Sequence, residues 1–169
     1  MPIYPKLLRI LIQSFHSILD ITLDEVSLIR YRPEVEHERK VAIYDLLNNN
    51  YFAPVNDDRG PYRVKLSVSE TNRLVIDISD ENDQLLRQVV VSLRSLRRVV
   101  KDYFKICESY FDALHKRTVQ QLETIDMARR GLHNEGAKLL SKCLADKVDV
   151  DDDTARRLFT LICVLHIRA

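Results

Sequence analysis

The chain has 169 residues, 26 of them basic and 25 acidic, so its net charge at pH 7 is +1. A chain this close to neutral has no overall field that attracts nucleic acid or an anionic membrane, so recognition by charge must be local. Its 46% hydrophobic content fits one globular domain, and three glycines and five prolines are too few for a long disordered linker.

The cysteines, Cys107, Cys143 and Cys163, are odd in number and widely spaced, without a Cys-x-x-Cys pair. This pattern argues against a disulfide framework and against a zinc ribbon. It favours a reducing compartment, and we therefore predict a cytoplasmic location.

Residues 5–17 carry apolar side chains at positions 7, 8, 11, 12 and 15, which is the spacing of one helical stripe. They predict a short amphipathic helix, or a loose arm that packs on the domain or on a second copy of the chain. Because Arg9 and Gln13 interrupt the apolar run, we expect neither a secretory signal nor a membrane span.

Strand patterns dominate the first half of the chain. Residues 18–23 alternate well enough for a strand, and Pro33 then opens a helix that ends in the asparagines at 48–50. The alternating runs 62–68, 73–78 and 85–93 are separated by short turns and predict an antiparallel meander. We expect the first strand to add to the edge of this meander.

Apolar spacing makes the second half helical. One run extends from residue 92 to 114, and another begins near Thr118 and reaches Leu144. A kink or break is expected at Gly131, because glycine costs ~1 kcal/mol in a helix interior relative to alanine. Residues 148–150 predict an extended connector, and 151–154 provide a cap for a last helix at 155–166.

The last helix is apolar on nearly all sides, which predicts that it is buried at the centre of a helical layer. The predicted fold class is therefore α+β: a small antiparallel sheet packed on one face by C-terminal helices. The sheet consists of a three-strand meander and an edge strand.

A basic stripe marks the start of the long helix after the meander, with six basic residues between Arg87 and Lys105 and one acidic residue. Cations in a first helical turn oppose the helix dipole by ~0.3–1 kcal/mol each, whereas helix N–H groups and arginine forks suit phosphate or carboxylate. The stripe predicts an anion-binding site of Arg94, Arg97, Arg98, Lys101 and Arg130. The alternative is pairing with acidic residues elsewhere: Asp77, Asp80, Glu81, Asp83, Asp151, Asp152 and Asp153.

A second candidate site lies between Gly131 and Gly136. His133 and Glu135 have the chemistry of a general base and its orienting carboxylate, with a supporting shell of Glu123, Asp126 and Arg130. Residues two apart diverge on a helix, so the pair converges only if the helix breaks at a glycine. The alternative is that both side chains cap and solvate a kinked helix.

Several functions are disfavoured by missing patterns. No Gly-x-x-x-x-Gly-Lys, Gly-x-Gly-x-x-Gly or Gly-x-Ser-x-Gly motif is present, and no His-x-x-x-His pair, so we predict no cofactor and no metal. No aromatic residues alternate with the basic stripe as in a base-stacking platform, which disfavours nucleic acid as a partner. A small anion or an acidic protein fits better.

Several strings resemble uncharacterised protein family 0262 (UPF0262), whose members come largely from alphaproteobacteria. They are PEVEHER (33–39), VAIYDLL (41–47), GPY (60–62), KDYF (101–104), ICESY (106–110), ETIDM (123–127), RGLHNEG (130–136) and DTARRLFTLICVLH (153–166). The resemblance implies a small protein without established activity and supplies no catalytic or binding residues. Members of the family begin near the first strand, so we expect residues 1–17 to be an N-terminal extension and 18–169 a single α+β domain.

Two functions remain open at this point. The leading hypothesis is a binding or regulatory module whose basic stripe receives an anion or an acidic partner. The rival is a small hydrolase or transferase that uses His133 and Glu135. Self-association through the apolar stripe of residues 7–15 is a further alternative, because most oligomers pair symmetrically.

Overall fold

A computed structural model describes residues 4–24, 33–114, 116 and 118–166 of the chain. The helices are α1 (Tyr4–Phe15), α2 (Pro33–Asn48), α3 (Arg97–Ala113), α4 (Val119–Leu144) and α5 (Asp152–His166), with a 3₁₀ turn at Arg94–Leu96. The strands are β1 (Ile18–Leu23), β2 (Phe52–Pro54), β3 (Tyr62–Val68), β4 (Arg73–Ser79), β5 (Leu85–Ser92) and β6 (Val148–Val150).

Four strands form a mixed sheet in the order β1-β3-β4-β5. β3, β4 and β5 pair antiparallel as the predicted meander, and β1 lies parallel to β3 at its edge. Alternate side chains such as Leu66 and Ile76 are buried on one face, in the same hydrophobic cluster as residues of α3, α4 and α5. The α+β fold class is therefore confirmed, with the edge strand where the sequence predicts it.

Helix α5 occupies the centre of the helical layer. It packs against α4 and α2 and reaches β3, and its residues Leu158 to Val164 are all buried. Asp151 caps its start by accepting a hydrogen bond from the Thr154 backbone N–H at 2.8 Å. The apolar sequence of α5 thus predicts its position correctly.

Three details differ from the sequence predictions. The sheet is mixed rather than antiparallel throughout, because the edge strand β1 runs parallel to β3. Residues 148–150 are strand β6, which pairs antiparallel with β2 rather than serving as an unpaired connector. Helix α4 runs without interruption through Gly131, so the predicted break is wrong. Packing of α4 against α3 and α5 outweighs the ~1 kcal/mol that a helical glycine costs.

Helix α1 forms as predicted and exposes its apolar face. Leu7, Leu8, Leu11, Ile12 and Phe15 are between 47% and 59% exposed. The chain is anchored directly after α1, because the backbone N–H groups of Phe52 and Tyr62 donate to the carbonyls of His16 and Ser17. None of the described helices is long and apolar enough to cross a membrane.

Candidate functional site

The basic stripe lies on the outer side of the 3₁₀ turn and the first turns of α3. Arg94, Arg97, Arg98 and Lys101 are all exposed. The opposite side of α3 is held in the core by Val99, Val100 and Tyr103, which are almost fully buried. The apolar spacing of α3 therefore fixes which way the cations point.

Arg98 is the member of the stripe that forms ion pairs. It binds Asp102 one turn later at 3.1 Å and reaches across to Glu135 on α4. Within the described ranges, Arg94, Arg97 and Lys101 form no ion pair with an acidic side chain. In the part of the chain that the structure describes, three of the four cations thus have no acidic partner at the protein surface.

Five of the seven acidic residues considered as partners for the stripe make contacts elsewhere. Asp77 accepts a hydrogen bond from Gln88, and Asp83 lies 3.5 Å from Arg63. Other members of that set close a turn, cap α5 or pair within α5: Asp80 with the N–H groups of Asn82 and Gln84, Asp151 with Thr154, and Asp153 with Arg156. Within the described residues, the stripe forms ion pairs only with Asp102 and Glu135, so none of the seven residues serves as the partner that the alternative interpretation requires.

The C-terminal half of α4 brings further cations to this surface. Lys138 and Lys142 are exposed and follow Glu135, the partner of Arg98, at helical spacing. The hydroxyl of Ser95 lies 3.4 Å from Cys143 Sγ, which places the start of α3 beside the end of α4. The spacing of Lys138 and Lys142 is visible in the sequence, but the packing of α4 against α3 that brings this face of α4 beside the stripe is tertiary, and no local pattern predicts it.

Arg130 is paired rather than free. Its Nε lies 3.0 Å from Asp126, although its side chain is 74% exposed. Asp126 also binds Arg129, whose guanidinium reaches Glu38 on α2 at 3.2 Å and lies over the ring of Tyr110. Asp126 therefore belongs to an ion-pair network between α2 and α4, while Glu123 is exposed at the start of α4.

His133 faces the interior between α4 and α5. Its Nε2 lies 2.9 Å from the carbonyl oxygen of Arg156 and 2.6 Å from Thr160 Oγ1. The imidazole stacks on Tyr103 at a centroid distance of 5.6 Å. Burial lowers the pKa of His133 to about 4, so the ring is neutral at pH 7, and its Nε2 is already engaged by Arg156 and Thr160.

Glu135 and His133 are not brought together. Because α4 is unbroken, side chains two residues apart project in different directions, and Glu135 contacts Arg98 on α3 instead. Asn134 accepts a hydrogen bond from Arg156 at 3.1 Å. The arrangement therefore lacks a base–carboxylate pair, and the described residues contain no group of three His, Cys, Asp or Glu side chains able to hold a metal.

The two glycines that bracket this stretch have different surroundings. A Cβ built on Gly131 meets nothing within 4 Å, whereas one built on Gly136 lies 2.3 Å from the ring of Phe159. Gly136 permits a close approach of α5 to α4, and Gly131 has no such role. Packing thus explains the glycine at position 136 and does not explain the one at position 131.

Comparison with known proteins bears out the resemblance drawn from the sequence strings. The model of the uncharacterised protein family UPF0262 matches residues 15–168. A UPF0262 protein of Rhodospirillum rubrum is 60% identical over 151 residues, which cover 89% of this chain and 92% of the relative. A UPF0262 protein of Paramagnetospirillum magneticum is 57% identical over 148 residues, which cover 88% of this chain and 94% of the relative. A UPF0262 protein of Mesorhizobium japonicum is 54% identical over 157 residues, or 92% of this chain and 96% of its own. No solved structure matches the chain.

Proposed function

We propose that this chain, which belongs to the uncharacterised protein family UPF0262, is a binding or regulatory module that receives an anion or an acidic partner on its basic surface. The basic surface consists of Arg94, Arg97, Arg98 and Lys101 with Lys138 and Lys142 of α4. The observation that carries the proposal is that Arg94, Arg97 and Lys101 are exposed and, in the described part of the chain, without acidic partners.

The electrostatics of a helix start support this proposal. Each cation in the first turn of α3 is opposed by the helix dipole by ~0.3–1 kcal/mol, and a bound anion removes that opposition. Arginine forks bind carboxylate and phosphate oxygens with paired hydrogen bonds, which lysines on α4 can supplement as point charges. The electrostatic free energy of this surface is thus unfavourable when no anion is bound and becomes favourable when one binds.

The hydrolase or transferase alternative gains no support from these contacts. It needs His133 and Glu135 to act together, whereas His133 contacts Arg156 and Thr160 and Glu135 contacts Arg98. A neutral, inward-facing imidazole with its Nε2 already hydrogen-bonded is typical of a packed core histidine. We therefore advance the binding module alone.

The same proposal includes a setting for the module. We place it in the cytoplasm, because Cys107, Cys143 and Cys163 are all free thiols. Residues 18–169 act as a single domain, and residues 1–17 extend it. The apolar face of α1 pairs with a second copy of the chain, which gives a homodimer.

A thermal-shift titration at low salt tests the basic surface. Probes are ATP, inorganic polyphosphate and polyglutamate, because screening is weakest at low ionic strength. We expect a higher Tm with an anionic probe, and loss of that shift in the double variant Arg97→Glu, Lys101→Glu. The control Lys40→Glu, Lys116→Glu makes the same change in net charge at exposed positions on α2 and after α3, outside the basic surface. The proposal is refuted if no probe raises the Tm of the wild type, or if the two double variants lose the Tm shift equally.

A further inference from the structure

Strand β5 has an open edge. It is the last strand in the sheet order and pairs with β4 on one side, and no described strand pairs with its other side. An open edge presents a row of backbone N–H and C=O groups that can pair with another extended chain. Strand β5 therefore offers a template for one added strand.

The register identifies the residues that face this edge. The Leu93 N–H donates to the carbonyl of Asn72 at 3.2 Å, which fixes the phase of the ladder between β4 and β5. Val91 and Val89 lie two and four residues before Leu93, so they also direct their backbone groups toward β4. The intervening residues Gln88, Val90 and Ser92 direct their backbone N–H and C=O groups outward.

A groove of about 590 Å³ runs beside the outward-facing end of β5. It is lined by Val90, Val91, Ser92, Arg94, Ser95, Cys143 and Lys147. This volume is within the ~300–1,000 Å³ that ligand sites commonly have. One wall is thus an unpaired strand edge, and the other carries Arg94 of the 3₁₀ turn and Lys147 of the turn after α4. The Lys147 Nζ lies 3.5 Å from the exposed carboxylate of Asp146, a solvent-screened contact that an incoming carboxylate can replace.

We propose that this groove binds an extended peptide segment that bears carboxylates, which adds a strand to β5 and places its acidic side chains at Arg94 and Lys147. Main-chain hydrogen bonds to Val90 and Ser92 supply affinity, and the two cations supply selectivity. The inference rests on the proposed function, because Arg94 belongs to the basic surface, and it specifies the form of the acidic partner.

The chemistry of the groove separates this occupant from two others. A second copy that offered its own β5 would bring the segment Leu85–Ser92, which contains Arg87 and no carboxylate, against two cations. A small anion would satisfy the cations and leave the outward N–H groups of Val90 and Ser92 unused. An extended acidic peptide satisfies both walls.

Fluorescence anisotropy with labelled eight-residue peptides that alternate Glu with Val or Thr tests the proposal. Val90→Pro removes an outward N–H that β4 does not use, and Val90→Thr keeps it. We expect Val90→Pro and Arg94→Glu each to weaken binding by about tenfold, close to the loss of one good hydrogen bond, and Val90→Thr to bind like the wild type. Equal binding by Val90→Pro and Val90→Thr overturns strand addition.

Amide hydrogen exchange gives a second measurement that needs no variant. Bound peptide should slow exchange at Val90 and Ser92 and leave Val89 and Val91 unchanged, because the latter already bond to β4. Uniform slowing, or none at saturating peptide, overturns the proposal. If the wild type responds to polyphosphate but binds no peptide, the proposal of strand addition is rejected and the proposed basic surface stands. Absence of response to both probes rejects the proposed function itself.

Discussion

Alanine substitutions at the two glycines of α4 are expected to have different effects on stability: Gly131→Ala stabilises the protein and Gly136→Ala does not. At Gly131 the new Cβ meets no atom within 4 Å and the residue is exposed. The substitution then contributes only the better helix propensity of alanine and the smaller entropy of its unfolded chain, about 0.5–1 kcal/mol of stabilisation. For a protein of this size, each kcal/mol of stabilisation raises Tm by roughly 2–4 °C.

Gly136→Ala adds the same methyl group against the ring of Phe159. Three ring carbons lie 2.3, 2.4 and 2.6 Å from the built Cβ, and Phe159 is 0% exposed. The ring is packed edge-on against Tyr103, so it has no free space into which to withdraw. Overpacking of ~1–3 kcal/mol exceeds or cancels the propensity gain of about 1 kcal/mol, so we expect the two variants to differ by about 1–3 kcal/mol.

Urea denaturation of both variants and the wild type measures this difference directly. The midpoint should rise for Gly131→Ala and fall or stay unchanged for Gly136→Ala. As a control, Gly136→Ala should do less harm in a Phe159→Leu background, because the smaller side chain makes room for the methyl group. If Gly136→Ala stabilises the wild type as much as Gly131→Ala does, the close approach of α5 to α4 is refuted.

Two further predictions concern His133 and α1. Because the pKa of His133 falls from its ordinary value near 6.5 to about 4, the unfolded chain takes up the proton first. The stabilisation by the neutral ring is complete above about pH 6.5 and is lost as pH falls toward 4, by about 3 kcal/mol in all. Urea unfolding from pH 4 to 7 measures this, and the free energy of unfolding should depend less on pH in His133→Gln than in the wild type. An equal pH dependence in both proteins contradicts the prediction. Removal of residues 1–13 deletes most of α1 and keeps the backbone bonds of His16 and Ser17. We expect the full chain to sediment as a dimer and the shortened chain as a monomer, and two monomers would contradict pairing through α1.

The fold could be predicted where side-chain periodicity is long enough to read. The alternation in β3 and β4 spans seven residues each, and the apolar sequence of α5 spans most of its length. Strands β2 and β6 have three residues each, which is too few to show a period. The continuity of α4 at Gly131 depends on packing against two other helices, which outweighs local propensity.

The candidate site was predictable in part, because helical spacing identifies which cations share a face. Their lack of partners depends on where acidic residues fold, and those pairings are long-range: Asp83, for example, lies in the turn after β4 and beside Arg63 of β3. The contribution of Lys138 and the groove at β5 require that α4 lie beside α3. Sequence therefore locates the charges, and tertiary structure decides whether they are neutralised.

The polar density of residues 129–136 has a structural explanation in these contacts. Arg129 binds Glu38 on α2, and Glu135 binds Arg98 on α3. His133 contacts Arg156 and Thr160 on α5, beside the contact that Gly136 makes with Phe159. One segment of α4 thus contacts three other helices. The side chains that resemble catalytic machinery, His133 and Glu135, each make polar contacts with one of those helices. In the described part of the chain, Arg94, Arg97 and Lys101 on the outer side of the 3₁₀ turn and α3 form no ion pair with an acidic side chain, and this is why we assign the proposed binding role to them.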